Sequence, residues 1–317
     1  MSLNEVFFSL IEGLRMPFGY LSDIEKRIHP LYLLSSAVLA FYVYRRSRLK
    51  NSFLAYLFRK DVWLSRSARI DYFLIFFNGI VKVFLIAPYL VFGFYLANRV
   101  ENFLPTIFGY PQSGLSDTTT IILFTIVLTL LGDLATYVIH YLMHRIPFLW
   151  EFHKVHHSAT VLNPITQYRL HPIELIINNI RGILILGLVT GIFQYLSANP
   201  IKEMTFIGAN VFSFAFLLFG SNLRHSHVRL RYFNWLEYIF ISPFQHQIHH
   251  SNNPEHFNSN MGAKLAIWDW MFRTLVRSND VEKIQFGLGQ EEDAHYGSVW
   301  GNLYLPFRNL FPRKRQR

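Results

Sequence analysis

Long apolar runs are the feature that most limits how this chain can fold. They cover residues 70–97, 119–143, 173–196 and 204–220, with a shorter run at 31–44. An apolar helix of about 20 residues spans the hydrocarbon core of a bilayer. Only 16% of the residues are charged, whereas a soluble domain carries about 25%. The runs therefore predict an all-α integral membrane bundle of about four to five transmembrane helices with a cytosolic helical cap.

Two of these runs contain signals for a bend or a turn. The run 70–97 is long enough to cross the bilayer with tilt, or to kink at Pro88. The residues Ser197-Ala198-Asn199-Pro200 are turn-like. They predict a helical hairpin between the fourth and fifth runs. We find no internal repeat or low-complexity linker, so the prediction is one membrane domain with its cap.

Basic residues predict which side of the membrane each loop occupies. Segment 45–69 carries eight of them, whereas 98–118 holds only Arg99 and the hairpin tip only Lys202. By the positive-inside bias, 45–69 is cytosolic. Counting spans then places 144–172 and everything after 221, with its basic final residues, on the same side. This side is the cytosolic face of a bacterial inner membrane or of the endoplasmic reticulum.

The net charge of +10 is interpreted as part of this topology rather than as a sign of nucleic-acid binding, because the basic residues flank the apolar runs. The first residues lack the pattern of a cleaved signal peptide, so the first membrane helix is expected to target the chain. The absence of cysteine excludes disulfides and thiolate metal sites. Any metal must be bound by imidazole or carboxylate groups.

Most of the 14 histidines fall into four short motifs. These are His140-x-x-x-His144, His153-x-x-His156-His157, His225-x-His227 and His246-x-x-His249-His250. Positions i, i+3 and i+4 share a face of a helix, so the rings within a motif can point into one space. Adjacent histidines diverge by about 100°, so each tandem pair can serve two different ions. The motifs predict a binuclear site whose imidazole ligands suit iron, zinc or copper rather than magnesium or calcium.

The other histidines have simpler interpretations. His29 and His295 are interpreted as polar residues at the water interface, and His256 as a surface loop residue. His171 and the pair at 225 and 227 fit either a structural or a ligand role on local pattern alone.

Two acidic residues are predicted to support the ligands. Asp133 lies two turns before His140 inside an apolar run. A carboxylate there is costly without a partner, so we expect a hydrogen bond that orients His140. A helix contact to a tyrosine or asparagine is the alternative. The same orienting role is predicted for Glu174.

At these residues the chain resembles the fatty acid hydroxylase and sterol desaturase superfamily of membrane di-iron enzymes. The resemblance continues through Asn163-Pro164, Arg169-Leu-His171-Pro172, Asn260-Met-Gly262 and Trp268-Asp269, and covers roughly 133–274. It departs from the family at Tyr141, where arginine is frequent, and at His227, where asparagine is frequent.

The resemblance implies two iron ions, held in the cap, that activate dioxygen and attack a C–H bond of a lipid. The implied catalytic ligands are His140, His144, His153, His156, His157, His246, His249 and His250. His225 and His171 are further implied ligands, and His227 is either an extra ligand or a substitute for the asparagine. Zinc can replace iron in a purified sample. The implied domains are an N-terminal membrane region (1–118) with two predicted spans, a catalytic domain (119–275) and a C-terminal cytosolic tail (276–317).

The implied reaction is hydroxylation or desaturation of a sterol, a fatty acyl lipid or an alkyl lipid. No flavin, haem or nicotinamide motif is visible, so a separate ferredoxin or cytochrome b5-like carrier must deliver two electrons. Arg224, Arg229 and Arg231 suit an acidic donor, or anchoring to anionic lipid. Two other functions are alternatives. A zinc-dependent membrane lipid hydrolase needs only about three protein ligands, so this chain has too many histidines for it. A metal transporter needs polar residues along its path, and 204–220 has few.

Overall fold

The computed structural model describes residues 2–198 and 204–311 and contains α-helices, short 3-10 turns and loops. The α-helices of these residues are α1 (Leu3–Gly19), α2 (Pro30–Arg46), α3 (Phe53–Leu57), α4 (Lys60–Trp63), α5 (Arg66–Leu85), α6 (Val91–Phe108), α7 (Asp117–Arg145), α8 (Pro147–His157), α9 (Pro172–Leu196), α10 (Met204–Leu218), α11 (Pro243–His249), α12 (Ile267–Met271), α13 (Gln290–Tyr296) and α14 (Val299–Leu310). Isolated β-bridges are the extended pairing found within them. The all-α prediction is confirmed.

By length and composition, α7 and α9 are helices that can cross a membrane. Their 29 and 25 residues carry exposed leucine and isoleucine side chains, as lipid contact requires. Helices α5 and α6 make a third span if they are counted together, with a bend of 42° between them. The break is the 3-10 turn Ala87–Tyr89, so the predicted kink at Pro88 is confirmed.

The four to five predicted spans exceed these two or three candidates. The run 31–44 does form a helix, α2, but its 17 residues extend only about 25 Å, against about 30 Å for the hydrocarbon core. The predicted hairpin tip at Asn199, Pro200 and Lys202 lies outside the described residues, as do the basic residues 313–317.

Close helix packing depends on glycine in two places. A Cβ atom on Gly191 of α9 would lie 2.4 Å from the carbonyl oxygen of Ala97 on α6. A Cβ atom on Gly79 of α5 would lie 2.2 Å from the carbonyl oxygen of Gly13 on α1. Only residues without side chains allow these backbones to approach so closely. The N-terminal helix α1, which hydropathy did not reveal, is therefore packed along α5.

Helix α8 and helices α11 to α14, with the loops between them, gather around the end of α7 where Arg145 lies, and we call this part the cap. Pro147 occupies the first turn of α8, where the absent N–H costs nothing, and starts the new helix directly after α7. Helix α14 packs against α8, and its Asn302 accepts a hydrogen bond of 3.1 Å from the Ser158 hydroxyl. The described part of the predicted tail, 276–311, is thus built into the cap.

Candidate metal centre

Three helices and one turn bring the histidine motifs together. His140 and His144 lie one turn apart at the end of α7. Helix α8 carries the second motif and α11 the fourth, with His250 as its C-cap. His225 follows the 3-10 turn Ser221–Arg224, which begins after Gly220 in the left-handed region at φ 91°. All four segments end in one buried volume.

Nine rings form two groups of ligand atoms. Group 1 is His140, His144, His153, His157 and His249, and group 2 is His156, His225, His246 and His250. Within each group the ligand nitrogens all lie within 4.8 Å of one another. Each tandem pair, at 156–157 and at 249–250, is divided between the groups. This is the arrangement predicted from the 100° divergence of adjacent helical residues.

The nitrogen separations fit metal ligation. The Nε2 atoms of His225 and His246 lie 3.1 Å apart, and those of His140 and His153 also lie 3.1 Å apart. Imidazole nitrogens about 2.0–2.1 Å from one ion lie roughly 3–3.5 Å from each other. Buried Nε2 atoms at 144, 157 and 249 have no hydrogen-bond partner. Because buried polar atoms are rarely left unpaired, an ion bound by these rings would account for them.

In three rings a backbone carbonyl accepts a hydrogen bond from the opposite ring nitrogen. Nδ1 of His140 donates to the Met261 carbonyl at 2.7 Å, and Nδ1 of His249 donates to the Ser259 carbonyl at 2.7 Å. Nδ1 of His156 lies 3.3 Å from its carbonyl acceptor at 169. A ring that donates through Nδ1 presents the lone pair of Nε2. These contacts therefore fix the tautomer that can bind a metal.

Burial keeps six rings of the cap neutral. The pKa values of six histidines lie well below the ordinary value because burial disfavours the charged ring, and nearby rings and arginines lower them further. They are His156, His157, His225, His246, His249 and His250. Neutral imidazole is the form that ligates metal.

The two acidic residues take different positions. The Oε1 atom of Glu174 accepts from Nδ1 of His153 at 2.8 Å, which is the predicted contact. Asp133 does not bond His140, and that prediction is wrong. Its carboxylate accepts from the backbone N–H groups of Lys264 and Leu265 and from the Trp268 indole, each at 3.0 Å. Asp133 therefore anchors the loop that follows Met261 and affects His140 only through it.

Three other histidines lie outside both groups. The ring nitrogens of His171 contact the backbone N–H of Ile173 at 3.1 Å and the Leu303 carbonyl at 3.3 Å. His227 donates to the Tyr56 carbonyl at 2.7 Å. We therefore leave both out of the proposed ligand set. His256 is buried rather than at the surface, which corrects that interpretation.

Arg224 is also placed differently from the prediction. It is buried rather than part of a basic surface, and it donates to the Gly262 carbonyl at 3.1 Å and to the Ala263 carbonyl. Its Nη2 atom lies 3.2 Å from Nδ1 of His246, so a guanidinium faces group 2. Arg229 and Arg231 are exposed.

Sequence reasoning missed a buried ion pair beneath the site. Arg169 Nη1 lies 3.1 Å from the Asp71 carboxylate, and both side chains are at most 1% exposed. Arg169 also donates from Nε to the Val155 carbonyl of α8. Asp71 belongs to α5, so the N-terminal region positions the ligand helix. A lone aspartate in an apolar run was the signal, but nothing local indicated its partner.

A cavity of about 310 Å³ reaches group 1. It is lined by His144, His157, His249, Trp150, Lys154 and Leu288, among others. None of the four rings of group 2 lines it. A small molecule that enters the cavity therefore meets group 1.

The segment that contains the histidine motifs is similar in sequence to known proteins. Residues 125–274 match the fatty acid hydroxylase family. Ornithine lipid hydroxylase OlsE of Rhizobium tropici is 34% identical over 152 residues, covering 48% of this chain and 41% of that protein. Alkylglycerol monooxygenase of Xenopus tropicalis is 29% identical over 174 residues, covering 51% and 32%.

Human cholesterol 25-hydroxylase is 30% identical over 149 residues, covering 46% of this chain and 48% of that protein. The chain thus spans less than half the length of each of these relatives. No solved structure matches it. The segment that matches the fatty acid hydroxylase family, residues 125–274, contains the nine rings of both groups in the motifs that carry the resemblance, so the match supports the predicted superfamily.

Proposed function

We propose that this chain is a membrane-bound lipid hydroxylase of the non-haem di-iron monooxygenase class, with one iron ion in each histidine group. The observation that carries the proposal is the division of nine rings, seven of them buried, into two groups within the segment that matches the fatty acid hydroxylase family. All-imidazole groups suit iron. Bound iron would supply the activation of dioxygen with two external electrons for oxidation of one C–H bond.

The chain's own residues would hold and orient this centre. Glu174 and the carbonyls of Met261 and Ser259 hold the outward N–H groups, so the inward nitrogens keep their lone pairs. The cavity beside group 1 has the position to hold the reacting part of the substrate, with Trp150 and Leu288 in its wall. Fixed placement of one C–H bond is what a protein adds to such chemistry.

A lipid is the substrate class that the relatives support, since their names specify ornithine lipid, alkylglycerol and cholesterol. Hydroxylation is favoured over desaturation for the same reason. We place the histidine groups on the cytosolic face because the basic segment 45–69 lies on the side of α8 in the predicted topology. A ferredoxin or cytochrome b5-like protein would deliver the electrons, and exposed Arg229 and Arg231 suit an acidic donor.

The alternatives are less compatible with the geometry. A zinc-dependent hydrolase uses about three protein ligands and a water, so it would leave most of the nine rings without a role. A transporter binds its ion near the bilayer midplane. Here the rings lie at the end of α7 and beyond it.

The test combines metal analysis with lipid mass spectrometry. Membranes containing the iron-loaded chain, a reductase system and isotopically labelled dioxygen are expected to add one labelled oxygen atom to a lipid that cells lacking the chain leave unmodified. His249→Ala should abolish this product while the protein still inserts into membranes. His227→Ala is the matched control, because that ring lies outside both groups, and it should keep the product. A fully active His249→Ala variant, or one tightly bound zinc with ester hydrolysis, would contradict the proposal.

A further inference from the structure

Helix α14 has an exposed aromatic stripe on the face opposite its buried residues. Trp300, Tyr304 and Phe307 are 79%, 58% and 44% exposed, and Phe311, directly after the helix, is 79% exposed. Their spacing of four, three and four residues keeps them within about 60° of one another around the helix axis. A contiguous exposed aromatic surface of this kind normally marks a contact.

The opposite face of α14 packs against the rest of the protein. Gly301, Asn302, Leu305 and Pro306 are buried. The Leu305 side chain packs in a cluster with Val155 of α8 and Leu74 of α5. The aromatic stripe is therefore not left exposed because the helix is loosely attached. It is the outer surface of a firmly packed helix.

The contacts of α14 place it at the level where α9 begins. His171, the N-cap of α9, lies 3.3 Å from the Leu303 carbonyl, and its ring centroid lies 5.2 Å from that of Phe307. Since α9 is one of the two helices long and apolar enough to cross a membrane, its first turn marks the edge of a span. Helix α14 lies beside that edge.

Charge indicates which surface covers the stripe. The sequence after α14 reads Pro312-Arg313-Lys314-Arg315-Gln316-Arg317, with four cations in six residues. Tryptophan and tyrosine concentrate at the interface between lipid and water. Helices with an aromatic face and adjoining basic residues lie in the plane of that interface, on anionic lipid.

We propose that α14 is an interfacial helix whose stripe of Trp300, Tyr304, Phe307 and Phe311 inserts among the head groups of anionic lipid. This would seat the cap, including the ligand helix α8 that packs on α14, directly on the membrane surface. The inference is independent of the proposed enzymatic activity.

The lack of cysteine allows a direct test with single spin labels. Trp300→Cys and Tyr304→Cys place labels on the stripe, and Ala294→Cys places a control on an exposed position of α13. The full chain is reconstituted in vesicles of phosphatidylcholine with phosphatidylglycerol. Labels on the stripe should collide several-fold more with oxygen, which dissolves in lipid, than with a water-soluble nickel chelate. The label at 294 should show the reverse.

Two results would overturn the inference. Nickel collisions at 304 equal to those at 294 would show a surface in water. Low collision rates with both reagents would show that a protein, such as a second copy of the chain, covers the stripe. These substitutions replace exposed side chains, so they leave the packed face of α14 unchanged.

A second measurement tests the anionic lipid. In the Tyr304→Cys background, glutamine replaces Arg313, Lys314, Arg315 and Arg317. In vesicles that contain phosphatidylglycerol, the ratio of oxygen to nickel collisions should then fall. It should approach the ratio that the Tyr304→Cys protein gives in vesicles of phosphatidylcholine alone. An unchanged ratio would overturn the assignment of anionic lipid.

Discussion

The two histidine groups are built from the same two cap helices and yet differ in access. Both take rings from α8 and α11. Group 1 adds His140 and His144 from α7, which are half-buried, and three of its rings line the cavity. Group 2 adds His225, and its four rings are at most 8% exposed. A substrate can therefore approach group 1, whereas group 2 is enclosed by protein.

The groups also differ in the charge beside them. Glu174 contacts His153 of group 1, whereas Arg224 faces His246 of group 2. A carboxylate raises the basicity of a ligand ring, and a guanidinium opposes added positive charge. We therefore expect group 1 to stabilise the more oxidised ion.

Lowering the pH should destabilise the folded protein through rings of both groups, so this effect does not distinguish the two groups. The six histidines with lowered pKa values stay neutral in the fold, whereas unfolded histidine binds a proton below about pH 6.5. Below that pH the unfolded state binds more protons, so stability is present above about pH 6.5 and falls as the pH falls. Each such ring contributes a loss of about 1.4 kcal/mol per pH unit.

Thermal unfolding of the metal-free protein between about pH 8 and pH 5 measures this loss. His250→Gln should flatten the acid limb, because one buried ring is gone. His295→Gln, at an exposed position, is the control and should leave the slope unchanged. Equal slopes in all three proteins would contradict the expectation.

Adjacent substitutions on α8 should remove different ions. His157→Ala deletes a ligand of group 1, and His156→Ala deletes a ligand of group 2. Both should lower lipid oxidation by more than about 100-fold, since even the outer partners of a ligand are worth about 10–100-fold. Mössbauer spectra of the iron-loaded variants should show loss of different species. Loss of the same species from both would break the division into two groups.

Glu174→Gln should weaken metal binding at group 1 alone. The amide keeps an acceptor for His153 but removes the charge, so we expect about a 10–100-fold loss of affinity there. Metal titration followed by the spectrum of each group measures it. Uniform weakening of both groups would show that Glu174 acts through general stability.

Arg224→Gln is the matched change at group 2, and it removes a positive charge where Glu174→Gln removes a negative one. Removing the cation beside His246 should make the group 2 ion easier to oxidise. The amide retains a donor for a carbonyl of the loop at 262–263. A potentiometric titration in which the reduction potential of group 2 rises would contradict this sign.

Narrowing the cavity should have the smallest effect and should spare both ions. Leu288→Trp fills part of the space beside group 1 and is expected to lower kcat/KM for the lipid about tenfold through poorer placement. Gln285→Trp, at an exposed neighbouring position, is the control. Unchanged kinetics in Leu288→Trp would show that substrate reaches the centre by another route.

Local periodicity made much of this protein predictable. Helical spacing put His153, His156 and His157 on one helix and divided the tandem pair between two groups, because both properties depend only on 3.6 residues per turn. Apolar runs predicted the membrane helices α7 and α9 and the kink at Pro88. The number of spans stays a prediction, because hydropathy does not measure how far a helix extends, as the 17 residues of α2 show.

Contacts between distant residues were not predictable in the same way. Asp133 was correctly expected to need a partner, but the groups that satisfy it come from residues 264–268. His171 and His227 carry the local pattern of ligands, yet their ring nitrogens form hydrogen bonds with backbone groups instead. The pair of Asp71 and Arg169 joins residues 98 positions apart.

By itself the sequence determined that this protein is helical, that it enters a membrane and which imidazoles share a helix face, because each of these follows from apolar content and helical period. Only the tertiary structure decided which rings form group 1 and group 2, which group meets a cavity and which charges lie beside them. Those properties depend on hydrogen bonds and packing between segments far apart in the chain, where the pairing energy depends on the whole fold rather than on local pattern.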